Sequence, residues 1–138
     1  MIDTTEVSEG GCLCGAVRYR VSGAPQSSAI CHCGSCRRAS GAAAVPWVTF
    51  ARSRFTWLAG TPVRYRSSPG VLRQFCGICG SPLTYESEEL ADTIDVTTAS
   101  LDDPNGFPPT REVWLAHKLA WQPAQLALEP FQGSSHLD

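Results

Sequence analysis

The seven cysteines constrain this chain more than any other feature, because all of them fall into three short clusters. One cluster spans residues 31–36, and two tight pairs lie at residues 12–14 and 76–79. A hydrophobic core does not require such spacing. A closed tetrahedral zinc site takes four thiolates, whereas a zinc site that works on a substrate keeps three protein ligands and an open fourth position. Four plus three cysteines therefore predict one structural and one reactive zinc, two zinc ions per chain.

Local backbone chemistry predicts which thiols form which site. A glycine follows the last cysteine of each pair, at Gly15 and Gly80. Glycine allows the positive φ with which a chain wraps a metal. Cys36 runs directly into Arg37 instead, so its short loop covers one face of an ion and leaves the other open. The structural ligands are predicted to be Cys12, Cys14, Cys76 and Cys79. The catalytic zinc ligands are predicted to be Cys31, Cys33 and Cys36.

Three other arrangements of these residues are open at the level of sequence. Residues 33–36 and 76–79 both read C-x-x-C and would together make an ordinary zinc ribbon. His32 is a possible fourth ligand, although adjacent side chains on an extended strand point to opposite faces. A disulfide framework is disfavoured, because clustered cysteines in a reducing compartment more often bind metal and an odd number cannot pair fully.

Short runs with period-two alternation indicate a mainly β protein with antiparallel sheets. The runs are bounded by turn signals rich in Gly, Pro and Ser. They lie at residues 16–21, 28–30, 42–50, 55–58, 63–66, 71–75, 82–85 and 93–97, with a strand or irregular segment at 112–121. A single helical turn is predicted from Ser35 to Gly41 with Ser35 as its cap, which would direct backbone N–H groups at Cys36 and lower its pKa.

Length and charge set limits on organisation and partners. The 138 residues predict a single domain over residues 10–131, between a flexible N-terminus (1–9) and a C-terminal tail (132–138). A net charge of -2 argues against nucleic acid and anionic membrane as partners. Acidic residues near Met1 and the lack of a long apolar run predict a cytoplasmic protein.

Four segments give this chain a resemblance to a known family. They are GCLCGAVRY (11–19), CHCGSCR (31–37), FCGICGSPL (75–83) and ASLDDP (99–104). With them the chain resembles the glutathione-dependent formaldehyde-activating enzyme family, which also includes centromere protein V. The resemblance implies a β-tent fold of antiparallel sheets, stapled by zinc, and the same division into structural and catalytic thiols.

The same resemblance implies a carbon–sulfur lyase-type reaction in which glutathione adds to formaldehyde and gives S-hydroxymethylglutathione. The expected partners are thus a small thiol such as glutathione and a small aldehyde. Members commonly carry a histidine after the late proline segment, whereas residues 109–114 contain none. The alternative function is a zinc-stabilised binding module without catalysis.

Side chains outside the cysteine clusters supply candidates for substrate binding. Arg37, Arg38 and Arg73 are expected to bind the carboxylates of a glutathione-like peptide, because arginine binds carboxylates in a bidentate manner. Trp47 and Trp57 are either core residues, the more usual role of aromatic residues in strands, or walls of the cleft. Asp95, Asp102 and Asp103 are candidates for a proton acceptor or for caps of the turns that follow them, and the capping role is favoured.

Overall fold

The structure, a computed structural model, describes residues 6–125 and 127–135. These residues form short β-strands around one α-helix, α1 (Gly34–Ser40). The strands are β1 (Val7–Gly11), β2 (Arg18–Ser22), β3 (Ser27–Cys31), β4 (Val45–Ala51), β5 (Phe55–Ala59), β6 (Val63–Ser68), β7 (Val71–Phe75), β8 (Pro82–Ser87), β9 (Thr93–Thr97), β10 (Arg111–Val113) and β11 (Glu129–Pro130). Single 3₁₀ turns occur at Arg52–Arg54, Glu88–Leu90, Thr98–Ser100, Pro104–Gly106 and Leu115–His117.

The strands form two sheets. The small sheet has the order β1-β2-β5, and the large one has the order β11-β10-β3-β4-β9-β8-β7-β6. Pairing is antiparallel except at β10, which lies parallel to β3 and to β11. The predicted mainly β, antiparallel class is confirmed. The parallel pairing of β10 was not predicted, because the alternation of side chains does not show the direction of neighbouring strands.

Strand β4 shows how the large sheet divides the molecule into two environments. Val48 and Phe50 point into the main core, whereas Val45 and Trp47 belong to a second buried cluster with two cysteines. This division follows from the period-two geometry of a strand, in which successive side chains face opposite sides. One face of the large sheet therefore packs for stability, and the other is available for a site.

The main core joins the two sheets. Tyr19 of β2 stacks on Phe55 of β5 with ring centroids 5.4 Å apart, and both belong to the same buried cluster as Ile94 and Val96 of β9. Burying each such side chain contributes about 1.5–3 kcal/mol. The small sheet is thus held on the face of the large sheet that lies away from the second cluster.

Helix α1 begins and ends as its local sequence requires, with one correction to the prediction. The residue that caps it is Cys33, whose sulfur accepts a hydrogen bond from the Cys36 backbone N–H, so the expectation that Ser35 caps the turn was wrong. The helix ends at Gly41, whose φ of 73° lies in the left-handed region that glycine adopts without strain.

The two ends of the domain extend further than the sequence indicates. Residues 7–9, expected to be flexible, belong to β1 and pair with β2. Near the other end, the Gly133 carbonyl accepts a hydrogen bond from the Trp114 N–H at 2.8 Å, within the segment expected to be a tail. Residues 1–5 and 136–138 of those two predicted segments lie outside the described residues. No helix in the described part of the chain is long and apolar enough to cross a membrane.

Candidate active site and metal centres

Four thiols from distant parts of the chain meet where the two sheets adjoin. The Cys14 sulfur lies 3.6 Å from that of Cys12 and 3.8 Å from that of Cys76. Cys79 completes a group whose sulfur atoms all lie within 4.8 Å of one another. A tetrahedral zinc with Zn–S bonds of about 2.3 Å places its ligands about 3.8 Å apart. The spacing therefore fits a closed four-thiolate zinc site; we call these residues the quartet.

Backbone N–H groups support negative charge on the quartet. Those of Ile78 and Cys79 point at the Cys76 sulfur at 3.4 and 3.5 Å, and the Val17 N–H points at the Cys12 sulfur at 3.3 Å. Hydrogen bonds to the charged form of a group favour that form. The loops therefore suit thiolates, which are the form of cysteine that binds metal.

Glycine and serine complete the two loops of the quartet. Gly15 and Gly80 both have a φ of 80°, as the sequence predicts from their position after each pair. The Ser81 hydroxyl lies 3.2 Å from the Cys79 sulfur, and this hydrogen bond, together with backbone hydrogen bonds from Cys14 and Ser81, lowers the pKa of Cys79 to about 5. Ser81 also accepts the Leu13 N–H at 3.0 Å and so joins one cysteine loop to the other.

The remaining thiols form a second group, which we call the trio: Cys31, Cys33 and Cys36. Their sulfur atoms lie within 4.8 Å of one another. Cys31 ends β3, Cys33 caps α1, and Cys36 lies in the first turn of that helix. One short loop thus supplies three sulfur donors, a set that fits zinc with an open coordination position. The trio and the quartet are separate, so the zinc-ribbon alternative, which mixes members of the two, does not form, and all seven cysteines are free thiols.

The negative charge of the trio is centred on Cys33. Hydrogen bonds from the Cys31 and Cys36 thiols hold the pKa of Cys33 well below its ordinary value. The bond that Cys31 makes to Cys33 raises the pKa of Cys31 in turn. The helix-start N–H also points at Cys33 rather than at Cys36, and the pKa of Cys36 is raised, so the expectation of a lowered Cys36 pKa was wrong.

Arg73 is the cation next to the trio. Its Nη2 lies 3.7 Å from the Cys36 sulfur, its Nε donates to the Ser67 hydroxyl at 3.2 Å, and its guanidinium carbon lies 5.0 Å from the centroid of the Tyr85 ring. Arg73 itself is buried. A buried cation in contact with sulfur favours the thiolate form of the trio, because opposite charges at this distance stabilise one another.

A cavity of about 830 Å³ opens onto the trio, a size usual for small-molecule sites. None of the quartet residues lines it. Its lining includes Cys31, Cys33, Cys36, Arg38, Trp47, Arg73, Tyr85, Arg111, Trp114 and His117. Trp47 is therefore both a buried residue and a wall of the cavity, so the two roles weighed from the sequence do not exclude each other.

The three arginines expected to bind substrate lie in different surroundings. Arg38 is exposed and lines the cavity. Arg73 lines it too, but its guanidinium is engaged with Cys36 and Ser67. Arg37 is not among the lining residues, and its Nε donates to the His32 carbonyl at 3.3 Å.

His32 anchors the loop of the trio from the opposite face. Its Nε2 lies 2.9 Å from Glu112 Oε1, and both side chains are fully buried. The second oxygen of Glu112 accepts the Gln125 N–H at 2.8 Å. His32 is not part of the trio, as the alternation of side chains on β3 predicts. Its Nδ1 is buried without a hydrogen-bond partner among the described residues.

Sequence reasoning did not assign several side chains of the cavity to the site, among them Tyr85, Arg111, Trp114 and His117. Tyr85 and Arg111 come from strands whose neighbours in the sheet cannot be read from local pattern. Trp114 has a φ of 57°, which is rare for a residue other than glycine, and its ring lies 5.2 Å from that of His117. No sequence signal marks this conformation, although strain of this kind concentrates at functional sites.

The aspartates expected to cap a turn make other contacts. Asp102 binds Arg18 through both carboxylate oxygens, at 2.5 and 2.9 Å, so its capping role was wrong. Asp103 occupies the position before the turn Pro104–Gly106, but its side chain makes no capping hydrogen bond. The preference for Asp before a turn therefore predicts the position of Asp103 correctly, but it does not predict whether the side chain makes a capping hydrogen bond.

Comparison with known proteins agrees with this geometry. A crystal structure of a Rhodobacter sphaeroides protein matches with a TM-score of 0.60 and 21% identity, over 89% of this chain and 98% of that chain, a likeness of fold alone. No curated protein sequence matches this chain significantly. The model of the glutathione-dependent formaldehyde-activating enzyme family matches residues 7–117, which confirms the resemblance found from the cysteine segments. The chain therefore belongs to the glutathione-dependent formaldehyde-activating enzyme family.

Proposed function

We propose that this protein is a zinc-dependent enzyme of the carbon–sulfur lyase type that joins glutathione to formaldehyde and forms S-hydroxymethylglutathione. The observation that carries the proposal is the unequal access of the two thiol groups: the trio lines a cavity of about 830 Å³ and the quartet does not. A reaction at sulfur needs a thiolate-stabilising site that a substrate reaches. Membership of the family supports the choice of thiol and aldehyde.

Each thiol group has its own task in this proposal. Cys12, Cys14, Cys76 and Cys79 hold a structural zinc that joins the end of β1 to the end of β7. Cys31, Cys33 and Cys36 hold the catalytic zinc. When bound there, zinc supplies an open coordination position at which a thiol is kept as thiolate at neutral pH.

Side chains of the cavity bind and orient the two substrates. Arg73 balances the negative charge of the trio, since its Nη2 lies 3.7 Å from Cys36. Arg38 lines the cavity as an exposed cation and is available to a carboxylate of glutathione, as is Arg111. Holding thiol and aldehyde side by side is an orientation effect, which contributes much of the rate of such additions.

The reaction requires a compartment in which thiols stay reduced. All seven cysteines of the chain are free, and a cytoplasmic location keeps both them and the glutathione substrate in that form. The net charge of -2 gives no general attraction to nucleic acid or anionic membrane. The partners in this proposal are therefore two small molecules.

Formaldehyde consumption tests the proposal directly. Purified protein is mixed with formaldehyde, with and without glutathione, and the hydroxymethyl product is followed by NMR. We expect acceleration over the uncatalysed reaction only when glutathione is present, its loss on chelation of the labile metal, and its return with zinc. Protein that binds two zinc ions and accelerates nothing would refute the enzyme and favour the zinc-stabilised binding module.

A further inference from the structure

The register of the large sheet places a tyrosine on the cavity wall between two other polar residues. Tyr85 of β8 lies directly opposite Arg73 of β7 on one side and Asp95 of β9 on the other. Asp95 in turn lies opposite Thr49 of β4. Residues directly opposite one another share a face of the sheet, and all four line the cavity. Tyr85 therefore stands in a row of polar residues that ends beside the trio at Arg73.

The ring of Tyr85 is held from two sides. The centroid of the Trp47 ring lies 6.0 Å away, and the Arg73 guanidinium carbon lies 5.0 Å from the Tyr85 centroid. The ring also packs against the buried cluster that contains Cys31 and Cys36. The Arg73 guanidinium therefore contacts both the Cys36 sulfur and the phenol ring and links Tyr85 to the trio.

The hydroxyl of Tyr85 is a donor that the fold does not use. Within the described part of the chain it makes no hydrogen bond, in contrast to the polar groups around it. The Thr49 hydroxyl donates to Asp95 at 2.5 Å, and the Arg73 guanidinium bonds Cys36 and Ser67. A phenol is protonated at neutral pH, so its O–H is available as a donor to a molecule in the cavity.

We infer that the Tyr85 hydroxyl is a catalytic residue that donates a hydrogen bond to the aldehyde oxygen while the thiolate attacks the carbonyl carbon. In this step the C–S bond forms and the π pair of the C=O bond moves onto oxygen. That oxygen takes up, from solvent, the proton that the thiol released, and Tyr85 keeps its own. Donors aimed at a developing oxyanion are among the largest contributors to catalysis. The inference rests on the proposed function and adds its oxyanion-stabilising residue.

The test compares Tyr85→Phe with Tyr65→Phe. The first variant removes the oxygen and keeps the ring contacts with Trp47 and Arg73. Tyr65 is 60% exposed and lies opposite Arg73 on β6, so it makes a matched control. We expect Tyr85→Phe to lower kcat by about 100-fold with KM unchanged, the usual loss for one oxyanion donor. A kcat within threefold of the Tyr65→Phe value would overturn the inference.

A binding measurement separates this inference from the proposed function. NMR titration compares S-hydroxymethylglutathione, ¹³C-labelled at the new carbon, with S-methylglutathione, which lacks the hydroxyl. Wild type is expected to prefer the hydroxymethyl compound by about tenfold, and Tyr85→Phe to lose that preference, because one hydrogen bond is removed. If Tyr85→Phe prefers the hydroxymethyl compound as strongly as wild type does, the inference is overturned. The wild type could also prefer the hydroxymethyl compound without catalysing the reaction, while Tyr85→Phe loses that preference. This result would support the hydrogen bond from Tyr85 and refute only the proposed enzymatic function.

Discussion

The sulfur atoms of Cys14 and Cys76 lie 3.8 Å apart although 62 positions separate the two residues in sequence. Cys14 lies between β1 and β2 of the small sheet and Cys76 follows β7 of the large sheet, so a metal held between them closes a long loop across the domain. The binding free energy of structural zinc is folding free energy, on the order of 10 kcal/mol, when the site does not exist in the unfolded chain. This binding free energy is comparable to the whole free energy of unfolding of a typical single domain.

Replacing Cys76 is therefore expected to prevent stable folding. Cys76→Ser removes a buried ligand of the quartet and leaves three thiolates for the structural zinc. We expect loss of the cooperative thermal transition above room temperature, followed by circular dichroism. Ser53→Ala, at an exposed position in the 3₁₀ turn Arg52–Arg54, serves as the control. A folded Cys76→Ser protein with a transition close to that of wild type would show that the quartet is not structural.

Replacing Cys33 is expected to remove activity without unfolding the domain. Serine at this position still provides an oxygen that accepts the Cys36 N–H and caps α1, since Ser is a preferred cap. We expect Cys33→Ser to bind one zinc instead of two, to lose turnover, and to keep its melting temperature within about 2 °C, a shift below 1 kcal/mol for a domain of this size. Metal analysis and calorimetry measure both outcomes. If Cys33→Ser does not fold, the trio has a structural role and the prediction is wrong.

Much of the fold and of the thiol grouping follows from local sequence. Strands such as β2 and β9 can be predicted because the alternation of their side chains reflects the two faces of each strand, a property of the strand itself. The roles of Gly15 and Gly80 can be predicted for a similar reason, because a positive φ is a property of one residue and does not depend on the rest of the fold. Chemistry that depends on one loop or one strand is thus predictable.

The remaining features of the site depend on which strands are neighbours. Arg73 contacts a sulfur atom 37 residues away in sequence, a contact that local sequence does not indicate. Tyr85 enters the cavity because β8 lies between β7 and β9, an order that no local pattern specifies. The wrong prediction that Ser35 caps α1 has another cause. The cap is the thiol of Cys33, whereas the usual capping side chains carry an oxygen.

The contact between Arg73 and Cys36 predicts that Arg73 tunes the metal affinity of the trio. Arg73→Met keeps much of the side-chain volume and removes the cation that lies 3.7 Å from sulfur. We expect the labile zinc to bind 10–100-fold more weakly, the usual effect of losing an outer-shell partner, while the quartet retains its metal. Zinc transfer to a chromogenic chelator measures this. Arg64→Met, at an exposed position of β6, should match wild type; an equal affinity in Arg73→Met would refute the role.

The hydrogen bond between His32 and Glu112 predicts that a substitution of Glu112, which does not line the cavity, strongly lowers the stability of the domain. Glu112→Ala leaves His32 Nε2 without its partner in a fully buried site, and it also removes the acceptor of the N–H of the exposed Gln125. Leaving a buried polar group unpaired costs about 1–3 kcal/mol, so we expect the free energy of unfolding to fall by about that amount. Urea denaturation measures it. Glu129→Ala, at an exposed site on β11, should change stability by less than about 0.5 kcal/mol.

The ion pair between Arg18 and Asp102 predicts a small stability difference that depends on pH. The Arg18 guanidinium lowers the pKa of Asp102 from 3.8, so the pair stabilises the folded state above that pH and loses this effect as pH falls through the lowered value. Because Asp102 is largely exposed, Asp102→Asn should cost less than about 1 kcal/mol at neutral pH. The melting temperatures of variant and wild type, measured by calorimetry, should converge as the pH falls through the lowered pKa of Asp102, because both proteins then carry a neutral side chain at this position. Asp103→Asn removes the same charge one residue away and should follow wild type throughout; a difference for Asp102→Asn that persists in acid would refute an electrostatic origin.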